Sequence, residues 1–149
     1  MPNKELRAST TSFVYPTVIS NIIDDGSEYL KIRNLYKKPV EIHLNVETGP
    51  IYCTGYGIQS ANWPDRRHDV RKWVFKAYNR KTGEVKIIHN NNSQRHRERS
   101  EWYDVKVKVP FPATFFTLEL KEINDDINDP LKWDVDSFFI GKIRLFKAY

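Results

Sequence analysis

Histidine and cysteine are the residues of this sequence with the most versatile chemistry, and their spacing predicts no catalytic or metal site. His43, His68, His89 and His96 follow neither the HExxH pattern nor any other metal-ligand spacing. His68 and His96 lie among arginines, whose positive charge disfavours a bound cation. Cys53 is the only cysteine, so it has no disulfide partner, and it alternates with its neighbours as a small core residue does. We therefore expect surface histidines and no bound metal.

The acidic run NDDINDP, residues 124–130, resembles a calcium loop only superficially. It lacks the glycine at the sixth position and the terminal glutamate of an EF-hand loop. We favour an Asp/Asn-rich turn that joins two strands. The sequence also contains no nucleophile motif such as GxSxG and no glycine-rich phosphate loop. We predict a protein without enzymatic activity and without a cofactor.

Two basic clusters are the candidate binding residues. Basic residues interleaved with aromatic rings can hold phosphates and stack bases, although an acidic protein surface is an equally good partner. Solvated loops remain the alternative for both clusters, and Trp73 is predicted to be a core residue because it begins an alternating strand. The predicted partner-binding residues are Trp63, Arg66, Arg67, His68, Arg95, Arg97 and Arg99.

Short β-strands are predicted to position these residues. In VEIHLNV the apolar residues Val40, Ile42, Leu44 and Val46 share one face. The segments WVFKAYNR, VKIIH, YDVKVKV, FFTLELKEI and FIGKIRLF alternate in the same way, and prolines interrupt the chain too often for long helices. Gly83 in NRKTGEV predicts a hairpin turn with a positive φ. Together these patterns indicate an all-β, antiparallel sandwich or barrel.

The length of 149 residues predicts one domain, 1–149, with a long exposed loop at about 89–101 in the polar stretch HNNNSQRHRERSE. The net charge of +5 permits nucleic acid, an anionic membrane or an acidic protein as a partner. No stretch approaches the length of a membrane-spanning helix, and the first residues, MPNKELRAST, contain no apolar leader. We expect a cytoplasmic protein.

The segment YGIQSANWPDRRHDVRKWVF resembles the discoidin domain, also called the coagulation factor 5/8 type C domain, of the galactose-binding-like superfamily. That family has a Tyr-x-Ile/Leu-x-(Thr/Ser)-(Ala/Gly)-Asn segment followed by a proline-containing turn and a tryptophan. The corresponding residues, in the same order, are Tyr56, Ile58, Ser60, Ala61, Asn62, Pro64, Arg66, Trp73 and Val74. RASTTSFVYPTVISNIIDDGS, KVPFPATFFTLELKEI and FFIGKIRLFKA extend the resemblance over nearly the whole chain.

The resemblance implies a jelly-roll β-sandwich whose loops at one end bind sugars, phospholipid head groups or proteins. Many members of the family also hold a structural calcium beside a glutamate of the closing strand. That position is Lys142 here, and an ammonium group cannot replace an oxygen ligand, so we expect no calcium. The family's pair of cysteines that bridges the termini is absent, which fits an intracellular member.

Our leading hypothesis is an intracellular adaptor module that docks onto proteins with acidic surfaces, as a component of a larger cytoskeletal or ciliary assembly. The alternative is a lectin-like module that binds a glycan or anionic lipid through its loops, with Trp63 beside Arg66 or Asn62 as the platform. Nucleic-acid binding rests on charge and aromatic residues alone, and we do not expect it. The hypotheses differ in salt dependence, which is steep for nucleic acid and slight for a glycan.

Overall fold

The computed structural model describes residues 6–12, 14, 17, 19–23, 26, 28–33, 40–64, 66, 68–92, 96–123 and 137–148. Ten strands and one 3₁₀ helix, Ile19–Ile22, lie within these ranges. The strands are β1 (Leu6–Ser9), β2 (Leu30–Arg33), β3 (Val40–Val46), β4 (Cys53–Gln59), β5 (Val70–Tyr78), β6 (Val85–Asn91), β7 (Trp102–Lys106), β8 (Phe115–Ile123), β9 (Ser137–Ile140) and β10 (Lys142–Lys147).

The strands form two main antiparallel sheets that face each other. One has the order β1-β3-β8-β5-β6 and the other β10-β4-β7, while β2 and β9 form a separate pair. The rings of Tyr56 in β4 and Phe75 in β5 stack across the core with their centroids 4.1 Å apart. Trp73 of β5 meets the ring of Tyr103 in β7 at 5.8 Å. The predicted all-β, antiparallel sandwich is therefore confirmed.

Alternation along the strands explains which side chains fill the core. The four apolar residues of β3 are buried, and the polar residues between them are half-buried. Cys53 is buried as predicted, and burial raises the pKa of its thiol to about 11. A thiol with this pKa is protonated and unreactive at neutral pH. Trp73 and Phe75 are also buried, which confirms their predicted place in the framework.

Two glycines mark where the chain changes direction. Gly83 has a φ of 75° in the hairpin between β5 and β6, and its N–H donates to the carbonyl of Asn79 at 2.8 Å, as the predicted turn requires. The segment FIGKIRLF, predicted as one strand, is divided at Gly141 between β9 and β10, which belong to different sheets. A Cβ at Gly141 would lie 2.3 Å from the carbonyl oxygen of Ser60, so only glycine fits this crossing.

The predicted exposed loop at 89–101 begins later than expected, and two of its histidines form hydrogen bonds to the strands. His89 belongs to β6, and its Nδ1 is hydrogen-bonded to the Tyr56 hydroxyl. His96 is buried, and its Nε2 donates to the carbonyl of Ile58 at 2.9 Å. The prediction of surface histidines is wrong for His96. Its imidazole is buried because it bonds to a carbonyl of β4, and the charge and polarity of the surrounding sequence do not indicate this bond.

The described residues contain no helix with the length and apolar character needed to cross a membrane. The acidic run at 124–130 lies outside the described residues.

Candidate functional site

The loop between β4 and β5 is fixed by one arginine. Arg66 donates from Nη2 to the carbonyls of Ala61 (3.1 Å) and Trp63, and from Nη1 to the carbonyl of Glu98 at 2.9 Å. Its guanidinium also pairs with the carboxylate of Asp69 at 3.2 Å, where Asp69 is only 2% exposed. A planar guanidinium with several donors is suited to several carbonyls at once. Arg66 therefore holds the loop in one conformation.

A serine joins this loop to the one between β6 and β7. The hydroxyl of Ser60 donates to the carbonyl of Glu98 at 2.6 Å and accepts the N–H of Glu101 at 2.9 Å. The Ser60 N–H donates to the carbonyl of Glu101 at 2.9 Å. These bonds and those of Arg66 join the described parts of the two loops into one unit at one end of the sandwich.

Four rings meet on this unit, and we call Tyr29, Trp63, His68 and Phe139 the Trp63 cluster. Phe139, on the outer side of the β2–β9 pair, lies 5.5 Å from Trp63, 5.1 Å from Tyr29 and 4.7 Å from His68, centroid to centroid. Tyr29 and Trp63 are 5.6 Å apart. Phe139 is 6% exposed beneath the others, whereas Trp63 is 38% exposed. The cluster therefore offers an indole surface to a ligand.

The Trp63 cluster and its neighbours in the chain also carry polar groups. Nδ1 of His68 donates to the carbonyl of Ser137 at 3.3 Å, so Nε2 is the ring nitrogen that remains for a ligand. Burial raises the pKa of Tyr29, so its hydroxyl remains protonated at neutral pH. Asn62 is exposed immediately before Trp63 in the chain. Nζ of Lys31 lies 5.7 Å from the centre of the Phe139 ring. Hydrogen-bond donors and acceptors beside an exposed ring are typical of ligand sites.

The structure describes five of the seven predicted site residues. Trp63, Arg66 and His68 lie together at this end of the sandwich, although the Arg66 guanidinium is directed into the loop. Arg97 and Arg99 are exposed on the adjoining loop. Arg67 and Arg95 lie outside the described residues.

Tyr29 and Phe139 were not predicted as site residues. They come together because β2 and β9 pair antiparallel, with Lys31 opposite Phe139. These partners are more than a hundred positions apart in the chain, and each strand has only four residues. The only local signal was an aromatic residue in or next to each of these short apolar strands. An aromatic residue there is also expected of an ordinary alternating strand, so it did not indicate a site.

The surroundings of Lys142 do not fit the calcium ion that the family resemblance raises. Its Nζ donates to the backbone carbonyl of Asn21 in the 3₁₀ helix, so a cation already satisfies this carbonyl. A second cation beside the ammonium would be repelled. Within the described residues, no three His, Cys, Asp or Glu side chains are grouped to hold a metal ion.

A scan of protein-family models found no match to this chain, and a search of curated proteins found none either. Among solved structures, the chain is similar to the family 32 carbohydrate-binding module of Clostridium perfringens NanJ in complex with galactose. The TM-score is 0.72 at 14% identity, over 97% of this chain and 95% of that one. It is also similar to the module CpGH89CBM32-5 from the same organism, in complex with GalNAc-β-1,3-galactose. There the TM-score is 0.73 at 13% identity, over 97% of both chains.

The F5/8 type C domain of a Bacteroides fragilis protein is a third similar structure. Its TM-score is 0.73 at 12% identity, over 99% of this chain and 95% of that one. At these identities the likeness concerns the fold, which is that of discoidin-type, galactose-binding-like domains.

Proposed function

We propose that this domain is a non-catalytic module that binds a glycan at the Trp63 cluster. The observation that carries the proposal is the exposed indole of Trp63, which packs on the neighbouring rings of Tyr29 and Phe139. Among structures of the same fold, two contain galactose or GalNAc-β-1,3-galactose. These observations favour the lectin-like alternative over the protein adaptor that the sequence ranked first, because one of the arginines on which the adaptor hypothesis relied, Arg66, donates to carbonyls of its own loop and of the adjoining loop.

In this proposal the C–H face of a sugar ring packs on the Trp63 indole, as apolar surface does on an aromatic platform. The sugar hydroxyls bond to the Asn62 amide, Nε2 of His68 and the Tyr29 hydroxyl. Arg66 contributes indirectly, since it fixes the backbone of Trp63 and limits the ordering cost on binding. Neutral hydrogen bonds and stacking make the affinity depend little on salt.

A glycan array followed by calorimetry with the best ligand tests this proposal. We expect Trp63→Ala to weaken binding at least about tenfold, because removal of a central aromatic contact commonly costs this much or more. The matched control is Trp102→Ala, which removes a partly exposed indole from the outer face of β7 and should leave the affinity within about twofold.

Two results would overturn the proposal. One is an array on which no glycan binds the wild-type protein above background. The other is a glycan that binds Trp63→Ala as tightly as the wild type, with both proteins folded by circular dichroism.

A further inference from the structure

The strand β6 forms one edge of the five-stranded sheet. In the order β1-β3-β8-β5-β6, Val85–Asn91 pairs with β5 on one side, and no strand among the described residues pairs with its other side. An edge strand presents backbone N–H and C=O groups to which another extended chain can bond. The direction of these groups and of the side chains decides what kind of chain fits.

Hydrogen bonds at the turn before β6 show which backbone groups point outward. The carbonyl of Glu84 accepts a backbone N–H from the residue that follows β5, at 3.0 Å, so Glu84 points to β5. The carbonyl of Tyr78, which is opposite Val85, accepts the N–H of Thr114 at 2.9 Å and therefore points to β8. Successive residues of an antiparallel strand alternate in direction. Val85 and Ile87 therefore direct their N–H and C=O groups away from the sheet.

The side chains of the same two residues are uncovered. Val85 is 58% exposed and Ile87 is 60% exposed, more than any other large apolar side chain that the structure describes. They are opposite Tyr78 and Lys76, whose common neighbour Ala77 is buried in the core, so both lie on the outer face of the sheet. Adjoining exposed apolar side chains are typical of an interaction surface.

Two aromatic rings continue this apolar surface across the sheet. Tyr78 is opposite Val85 on one side and Phe115 on the other, and the two rings are 5.3 Å apart. The guanidinium of Arg80 lies over the Phe115 ring, 5.0 Å from its centroid. We call Tyr78, Val85, Ile87 and Phe115 the β6 patch. An apolar residue of an added strand would lengthen this row by one position.

A β-bulge limits the length of the open edge. Ile87 is opposite Lys76 and His89 is opposite Phe75, the preceding residue of β5, so Ile88 has no partner of its own. A bulge bends the strand and interrupts regular pairing. The regular edge therefore ends at Ile87, which suits a short peptide segment better than a long strand.

The charge at this edge is positive. Lys86 is exposed and is opposite Ala77, so its side chain lies on the other face of the strand from the β6 patch. It pairs with no acidic side chain in the part of the chain that the structure describes. In the turn, Arg80 and Lys81 add two positive charges and Glu84 adds one negative charge. An acidic residue opposite Lys86 is therefore favoured.

We propose that the edge of β6 binds a short extended segment of a protein partner, as an added antiparallel strand with an acidic residue between two apolar residues. The two apolar residues are opposite Val85 and Ile87, exchange backbone hydrogen bonds with them and adjoin the β6 patch. The acidic residue is opposite Lys86 on the other face, in a pair without backbone bonds, where facing side chains are closest. The segment alternates as β6 does, so one strand makes all these contacts.

A second copy of this chain is a poorer occupant. Two antiparallel β6 edges related by a two-fold axis use all the outward backbone groups when Val85 of each is opposite Ile87 of the other. Lys86 is then opposite Lys86 of the second copy, and like charges in this position are destabilising. Lysine on an edge strand commonly prevents such pairing. An acidic segment has the opposite charge there, which makes it the favoured occupant.

The edge of β6 is separate from the proposed glycan site. The Trp63 loop precedes the beginning of β5, whereas the turn to β6 follows its end. The nine residues of β5, at about 3.3 Å each, separate the two by about 26 Å. Peptide binding does not rest on glycan binding, and Trp63→Ala is a control that leaves this edge intact.

The test is to pan a library of random peptides against the wild-type protein and to measure the enriched peptides by fluorescence anisotropy. We expect an acidic residue between two apolar ones. The affinity should fall at least about fivefold for Lys86→Glu, because an attractive cross-strand pair becomes repulsive. It should fall similarly for Val85→Thr/Ile87→Thr, which keeps β-branched residues but removes apolar surface.

Two control variants separate this effect from others. Lys108→Glu makes the same change of net charge at an exposed lysine outside β6, and Trp63→Ala alters the glycan site. Both should leave the peptide affinity within about twofold. Circular dichroism confirms that each variant is folded.

Hydrogen exchange of the backbone amides checks the binding mode. Bound peptide should slow exchange at the N–H groups of Val85 and Ile87 and leave that of Lys86, which points to β5, unchanged. N-methylation of either apolar residue of the peptide should abolish binding. N-methylation of the acidic residue, whose N–H points away from β6, should not.

Three results would overturn the proposal: no peptide is enriched, the enriched peptides bind Lys86→Glu or Val85→Thr/Ile87→Thr as tightly as the wild type, or exchange slows only outside β6. A dimer in light scattering that Val85→Thr/Ile87→Thr abolishes would assign the edge to a second copy and also overturn it.

Discussion

Trp63 lies in the loop between β4 and β5, and Trp73 lies in β5. The two tryptophans have opposite environments. Trp73 is fully buried between the two sheets, and its Nε1 donates to the Tyr56 hydroxyl at 2.8 Å. Trp63 packs on Tyr29 and Phe139 but keeps 38% of its surface exposed. The protein covers the whole indole of Trp73 but leaves part of the Trp63 indole in contact with solvent. The difference indicates that Trp73 stabilises the fold and that Trp63 is available to a ligand.

The environment of Trp73 is a short chain of hydrogen bonds. Burial raises the pKa of Tyr56 far above its ordinary value, so the hydroxyl keeps its proton and donates to Nδ1 of His89 while it accepts from Trp73. Burial also lowers the pKa of His89, which keeps that acceptor nitrogen unprotonated. A buried polar network of this kind is stable only when every group has a partner.

The largest expected effect is on stability at Trp73. We expect Trp73→Phe to lower the free energy of unfolding by about 2–3 kcal/mol, because it shrinks a buried ring and removes a donor to Tyr56. Trp63→Phe should change it by less than about 0.5 kcal/mol, as for other exposed sites. Urea denaturation of both variants measures this contrast. Equal losses at the two positions would show that the Trp63 cluster is a second structural core.

The next effect separates the arginines that sequence reasoning grouped together. Arg66→Met should cost about 1–2 kcal/mol, because three carbonyls and the buried carboxylate of Asp69 lose a partner. Arg97→Met removes an exposed charge and should cost less than about 0.5 kcal/mol. Thermal unfolding compares the two variants at equal net charge. If Arg97→Met were the more destabilising, the assignment of Arg66 as the residue that fixes the loop would be wrong.

The smallest expected effect is a pH dependence at His96. Burial is the main cause that lowers the pKa of this histidine, assisted by Arg66 and opposed by its bond to Ile58 and by Glu101. The unfolded chain therefore binds a proton at a higher pH than the folded one, and stability falls as the pH drops below about 6.5.

His96→Gln keeps a donor for the carbonyl of Ile58 but does not titrate. Its free energy of unfolding should decline less than that of the wild type when the pH is lowered from about 7 to 5. His89 remains in both proteins, so its own titration cancels in the comparison. Parallel slopes in the two proteins would contradict the account of His96.

The strands with regular alternation were predictable from the sequence. The bounds of β3 and β8 match the segments VEIHLNV and FFTLELKEI, and Trp73 was placed in the core because its strand alternates. The resemblance to discoidin domains also predicted the fold that the solved structures share. In these segments the local pattern and the tertiary structure agree, as they do in minimally frustrated sequences.

The site was less predictable because its contacts join distant segments. Phe139 is brought to Trp63 by the pairing of β2 with β9 and by its bridge to Asp69, and neither strand indicates these partners. Arg66 looked like a surface cation, since the carbonyls that it bonds belong to two different loops. His96 was misplaced for the same reason, because a single strand carbonyl decides its burial. The alternation of apolar and polar residues predicts which face of a strand is buried. The conformation of a loop depends instead on contacts with segments that are distant in the sequence.

The most direct test of the account is a titration of isotope-labelled protein with the glycan that binds best on the array, observed at the tryptophan indole N–H signals. All four tryptophans report in one spectrum, so Trp63 and Trp73 are compared within the same sample. The account predicts that the Trp63 signal moves with increasing sugar, while those of Trp73 and Trp102 stay fixed. A spectrum in which no indole signal moves, or in which Trp102 moves and Trp63 does not, would contradict it.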